Sequence, residues 1–183
     1  MLHVIFDRPN AKYKVFDPNG AIATDSFGDL EFEAGGDAWG GPGYGHDGWC
    51  PPGHFVLTSI EQFAPIASEG SAQIDVSDID EALLAKLVAS HHASGENANG
   101  VEIGGIVGKI GQLAVFGRGG IMCHGGGSNA PDPFAAYQEL CKTEGCTRLH
   151  NADLARLVAF LKPQLDSETV VYTIIGDPLE LAC

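Results

Sequence analysis

Two residue types in this chain can do covalent chemistry together, a thiol and an imidazole. A cysteine becomes a nucleophile when a nearby base takes its proton, and that base works best when a third group fixes its tautomer. Cys146 lies in Thr143-Glu144-Gly145-Cys146-Thr147-Arg148, behind a glycine that lets backbone approach a ligand and close to an arginine. His124 lies earlier, in Met122-Cys123-His124-Gly125-Gly126-Gly127, where the glycines leave space around the ring. A cysteine and a distant histidine also co-occur by chance, so the pair is nominated here without being assigned a reaction.

The remaining histidines and cysteines carry weaker signals. His91-His92 falls at the end of an expected helix, where imidazoles suit the last carbonyls better than a metal, and no metal site is expected. His46 sits in a glycine-rich stretch and reads as a loop residue, while His150 follows the cysteine segment and either lines it or faces solvent. Cys123 should point away from His124, because side chains alternate along a strand. The five cysteines (Cys50, Cys123, Cys141, Cys146 and Cys183) match neither zinc spacing nor a disulfide scaffold, and an odd number leaves a free thiol in a monomer. No pattern selects a disulfide pair.

Several elements must position these groups. Residues 2–7 and 12–16 read as a hairpin around Arg8-Pro9-Asn10-Ala11, and Asp17-Pro18-Asn19-Gly20 turns the chain into a third strand over 21–27. Residues 35–53 are dense in Gly, Pro and aromatics and read as a long loop, after which 54–60 returns to a strand. Ser77 is the expected cap of an amphipathic helix over 78–91. The apolar but glycine-broken stretch 101–116 suits bent strands, and 120–125 reads as a buried strand that delivers His124 at its end. Short helices are expected over 132–142 and 151–161, the second capped by Asn151 with Pro163 beyond its end, and 169–175 is a closing strand. The expected class is mainly β with packed helices (α+β), in a single domain across residues 1–183.

Composition limits the partners. Of 183 residues, 44% are hydrophobic and 19% charged, which suits a folded chain. Ten basic residues against 24 acidic ones give a formal charge of −14, and the basic ones form no patch, so no nucleic acid is expected. No apolar run reaches the roughly 18 residues needed to span a bilayer. Met1 to Phe6 lacks the basic start of a signal peptide and reads as a strand, leaving a removed signal, another export route or the cytosol as alternatives. Nothing indicates an oligomeric state.

His124-Gly125, then Thr143-x-Gly145-Cys146-x-Arg148, then Asn151-x-Asp153 before an apolar helix, resemble in order the signature of the YkuD-type L,D-transpeptidases. Cys50-Pro51-Pro52-Gly53-His54-Phe55 is similar to that family's Thr-Pro-x-Gly-x-Tyr/Phe turn, and residues 2–27 resemble its opening strands. Two features depart from the family pattern. Glu144 stands where a histidine is usual, and the stretch from His124 to Cys146 is longer, with Pro131 to Lys142 as the insertion.

The resemblance implies a bent β-sheet or flattened barrel in which Cys146 attacks a carbonyl of a peptidoglycan stem peptide and His124 serves as its base. It further implies that the Gly125 carbonyl orients the imidazole and that backbone N–H groups at Gly145 and Cys146 form an oxyanion hole. Arg148 would hold a substrate carboxylate, or else a structural ion pair, and Thr143, Glu144 and Gly145 would complete the substrate-binding set. No cofactor is implied. The thioester would pass to an amine, giving a crosslink, or to water, giving L,D-carboxypeptidase activity, in the cell envelope or periplasm. Three alternatives stand beside this expectation: a toxin-like relative delivered to a rival cell, an NlpC/P60-like cysteine peptidase, and an inactive binding module. The peptidase is disfavoured because such enzymes usually present Cys before His.

Overall fold

A computed structural model of the chain describes residues 1–36, 44, 48–93 and 108–176, and the side chains of all of these except 91–93. The first strand, β1 (Leu2–Asp7), is buried at every position. It is flanked on both sides, pairing in parallel with β10 (Val170–Ile175) and antiparallel with β2 (Lys12–Phe16), as the expected opening hairpin and closing strand require. The next barrel strand is not 21–27. There, Thr24–Asp25 (β3) and Gly28–Asp29 (β4) form a separate small ribbon, because the Asp25 carboxylate accepts the Phe27 N–H at 2.7 Å and reverses the chain. Strand β5 (Glu31–Gly36) instead pairs with β2, burying Phe32 and Ala34 while Glu31 and Glu33 face out.

Strand β6 (Gly53–Ile66) runs well past residue 60 and forms a long hairpin with β7 (Gly70–Asp78). Beyond Ile60 the side chains are mostly exposed whether polar (Glu61, Gln62) or apolar (Ala64, Ile66), so no inward apolar face marks the strand while the ladder continues through Glu61–Gln73 and Gln62–Ala72 pairs. Strand β7 continues past a register shift between Leu57 and Ile60 to Ser77 and Asp78, which pair with Val56 and Phe55. Helix α1 (Glu81–Ala93) therefore starts later than residue 78, and its cap is Asp80, whose Oδ1 accepts the Leu83 N–H at 2.7 Å. Ser77 is not a cap.

Two further expectations fail for identifiable reasons. Residues 101–107 lie outside the described part, and 108–116 form no strand: an isolated bridge joins Ile110 to His54, and Ala114–Phe116 is a 3-10 turn. The Asp78 carboxylate accepts the Leu113 and Ala114 N–H groups at 2.6 and 3.2 Å, which commits this stretch to a turn. Residues 132–142 are turns and bends in place of a helix. Their carbonyls are taken from outside, those of Pro133 and Ala135 by Asn151 Nδ2 and that of Ala136 by the Ala152 N–H. A carbonyl committed elsewhere cannot close a helical turn.

Short strands β8 (Met122–His124) and β9 (Thr147–Leu149) pair in parallel. Helix α2 (Asn151–Leu165) directs Leu154, Leu157, Val158 and Leu161 into the core and packs on β6 and β7. It continues through Pro163, which lies in its last turn on the exposed side, because Leu165 still packs against the core. The barrel closes in the order β1-β10-β6-β7-β8-β9-β5-β2. The class is mainly β with two helices, as the sequence led us to expect. A smaller apolar cluster joins α1 through Leu84 and Leu87 to Ile79 and Val171. Among the described residues, no helix is long and apolar enough to cross a membrane.

Candidate active site

The parallel pairing of β8 and β9 places His124 beside Arg148 and leaves Cys146 just before the start of β9. Cys146, His124, Glu69, Met122, Glu144 and Arg148 are among the residues lining one cleft of about 360 Å³. Cys123, one residue from His124, is fully buried in the barrel core. Strand alternation thus separates an inert thiol from the imidazole that faces the cleft.

His124 is held from several directions. Its Nδ1 lies 2.8 Å from the Gly125 carbonyl. A carbonyl only accepts, so Nδ1 carries the proton and, in the neutral ring, Nε2 has the free lone pair. Burial, aided by the Arg148 charge, pushes the imidazole pKa down to about 4 against the opposing pull of the Gly125 bond. His124 is therefore neutral at pH 7. The turn that presents Gly125 is pinned by the tip of the β6–β7 hairpin, where Glu69 and Ala67 carbonyls accept the Gly125 and Gly127 N–H groups at 3.0 and 2.6 Å. On the other side Asn151 Oδ1 accepts the Gly126 N–H at 2.9 Å, and Gln138 Nε2 donates to the Gly126 carbonyl at 3.2 Å. Gly126 has φ 64°, and a Cβ there would strike the hairpin backbone at Ala67 and Gly70, so a glycine is required on both counts.

Cys146 is half-buried, and its Sγ donates to the Gly120 carbonyl at 3.5 Å. Among the described residues no hydrogen bond joins the resting thiol to His124. Burial raises its pKa, with Glu69 adding to the rise, while the Met122 N–H, Arg118 and Arg148 work against it. The resting pair is consequently a neutral thiol and a neutral imidazole. A thiol in this state would need a general base to take its proton as a bond forms, in place of a preformed thiolate.

The other nominated residues sort into different positions. The Thr143 hydroxyl donates to the Cys146 carbonyl at 2.5 Å and so closes the 143–146 turn, although Thr143 also lines the cleft. Gly145 is buried with φ 99°, and Glu144 is exposed on the rim. Arg148 is 5% exposed, and its guanidinium donates to the carbonyls of Cys141 and Ser68 at 3.2 and 3.4 Å. His150 turns away from the cleft, its Nδ1 donating to the Gln138 carbonyl at 2.8 Å and its Nε2 lying 3.7 Å from Glu33. Asn151 is the first helical residue, not the cap; that position is His150, without a side-chain cap bond.

Cys50, Cys123, Cys141 and Cys146 are free thiols. His46, Cys183 and the side chains of His91 and His92 lie outside the described part. Among the described residues no three His, Cys, Asp or Glu side chains converge as a metal would need.

Sequence reasoning missed Glu69, Arg118 and Gln138 at this site. Glu69 lies at the tip of a hairpin whose outer half has no apolar period. Arg118 had only its neighbouring glycines as a signal, and Gln138 fell in a segment taken for a helix.

No family model and no curated protein sequence matches the chain. Among solved structures, the chain is similar to the helical cell shape determining protein Pgp2 from Campylobacter jejuni, at 14% identity and a TM-score of 0.52 over 97% of this chain and 48% of that one. It also aligns with Mycobacterium tuberculosis L,D-transpeptidase 1 at 12% identity and a TM-score of 0.36, over 96% of this chain and 61% of that one. The chain thus spans about half the length of Pgp2, and what they share is the fold.

Proposed function

We propose that the chain is a cysteine-dependent acyltransferase or peptidase of the L,D-transpeptidase kind, acting on peptidoglycan stem peptides in the cell envelope. One observation carries this reading: a neutral imidazole with its tautomer locked by Gly125 shares a cleft with a half-buried thiol. The fold shared with a cell-shape-determining protein fits a role on the wall.

In this reading Cys146 Sγ attacks a stem carbonyl carbon as His124 Nε2 takes the thiol proton. N–H groups at Gly145 and Cys146 stabilise the oxyanion. Collapse of the tetrahedral adduct breaks the C–N bond, the leaving amine takes the proton from His124, and a thioester remains. An amine or water then attacks the thioester while His124 takes its proton. This second adduct expels Cys146 sulfur, which regains the proton from His124. Arg148, with its charge on the cleft wall, attracts a substrate carboxylate. Glu144 and Thr143 border the same space.

The test is mass spectrometry of muropeptides incubated with the protein and with Cys146→Ala. The wild type should shorten stems by their terminal residue or join them into crosslinked products, and the variant should do neither. Unchanged muropeptides from a folded wild type whose Cys146 still reacts with iodoacetamide would remove the stem-peptide substrate.

A further inference from the structure

Arg118 lies in the glycine-flanked run Gly117-Arg118-Gly119-Gly120 just before β8, and it is 8% exposed. Its Nη1 donates to the carbonyls of Gly48 and Trp49 at 2.7 and 2.6 Å, and its Nη2 donates to the carbonyl of Glu144 at 2.5 Å. One planar guanidinium thus joins the 48–49 segment to the turn that presents the thiol. All three acceptors are main-chain carbonyls, which orient the group without cancelling its charge.

The same run meets Cys146 a second time, because Gly120, two residues on, supplies the carbonyl that accepts the thiol proton. The fit at Gly145 is also set by Arg118. A Cβ there would strike the guanidinium and the Gly48 carbonyl, so Gly145 is required for this close approach as well as for its φ of 99°.

We propose that Arg118 is the positioning residue of the nucleophile: it fixes the Glu144–Cys146 turn through the Glu144 carbonyl and lends positive charge to the sulfur as the thiol gives up its proton. The inference rests on reading Cys146 as the nucleophile. It also accounts for how this chain manages with an acidic residue at 144. Among the described residues, the charged groups that act on the sulfur are Arg118, Arg148 and Glu69, while Lys142 and Glu144 also line the cleft and His124 is neutral. Arg118 is bonded to the turn itself, through the Glu144 carbonyl. Both Arg118 and Arg148 pull the thiol pKa down against burial.

The experiment follows iodoacetamide alkylation of Cys146 against pH, located by peptide mass spectrometry, in wild type, Arg118→Gln and Arg118→Lys, with circular dichroism to confirm folding. An opposite charge near a titrating group typically moves it by one unit or more, so alkylation of Arg118→Gln at pH 8 should fall about tenfold. Arg118→Lys keeps the charge but cannot bond three carbonyls in one plane. It should hold most of the alkylation profile yet lose stem-peptide turnover through kcat more than KM. A folded Arg118→Gln with the wild-type profile overturns the proposal, as does Arg118→Lys that loses as much alkylation as Arg118→Gln. If Arg118→Gln does not fold, Arg118→Lys is judged against wild type: a folded Arg118→Lys whose alkylation at pH 8 falls about tenfold overturns the proposal. Alkylation needs no stem peptide, so a wrong substrate class would leave the profile test intact and would show as absent turnover in the wild type.

Discussion

A buried imidazole that stays neutral leaves a mark on stability as well as on chemistry, and His124 offers a way to read it. Burial, with the neighbouring Arg148 charge, holds its pKa near 4, whereas an exposed histidine in the unfolded chain titrates near 6.5. At pH 7 about 0.1% of the folded rings are protonated, against about a quarter in the unfolded chain. The folded pKa is the lower one, so below pH 6.5 the unfolded state binds the proton first. The contribution of His124 to stability is therefore fully present above pH 6.5 and is lost as pH falls towards 4. At about 1.4 kcal/mol per unit the whole shift is worth about 3 kcal/mol, of which roughly 2 to 3 has gone by pH 4.5.

The measurement is urea unfolding at pH 7 and pH 4.5 for wild type and His124→Gln. Other titrating groups shift both proteins alike; Asp153, which burial pushes up, is one of them. The wild type should lose about 2 kcal/mol more than the variant on acidification. Equal losses, or an imidazole signal titrating near 6.5 in the folded protein, would refute the account of a base kept neutral by its surroundings.

Two other outcomes follow from the site. Iodoacetamide should modify Cys146 before Cys50, Cys123 or Cys141, which are at most 1% exposed, and its rate should still be climbing at pH 9 because burial lifts the thiol; first labelling at another of these cysteines in the peptide map would contradict this. Asn151→Ala removes the bonds to Gly126, Pro133 and Ala135, so it should cost about 1 to 3 kcal/mol in denaturant and speed hydrogen exchange near 126 and 133–138, and unchanged exchange would mean that Asn151 does not tie these segments.

The sequence announced the elements whose side-chain period matches their burial. Strand β1, strand β2, the start of β6, helix α2 and strand β10 fall close to their expected places because Val4, Val15, Phe55, Leu157 and Tyr172 lie where the period puts an inward face. It was silent where main-chain pairing continues without an apolar period, as in the outer half of the β6–β7 hairpin. It misled where one side chain decides local structure. Asp80 in place of Ser77 starts α1, Asp25 reverses the chain before β5, and Asn151 draws out the carbonyls that a helix over 132–142 would need. Around the cleft the linear motif drew attention to Cys146, His124, Gly125 and Arg148, since these sit in two short runs, one ending β8 and one opening β9. It could not show Glu69, Arg118 or Gln138, which arrive through contacts far apart in the chain.

The claim that Cys146 becomes acylated is tested most directly by intact-protein mass spectrometry of the enzyme mixed with a stem peptide and quenched in acid. The account predicts a mass gain equal to the acyl part of the stem, mapped to Cys146, released by hydroxylamine, absent in Cys146→Ser and formed far more slowly in His124→Gln. Turnover of the stem with no adduct in the wild type and undiminished product in Cys146→Ser, or an adduct on any other residue, would contradict it.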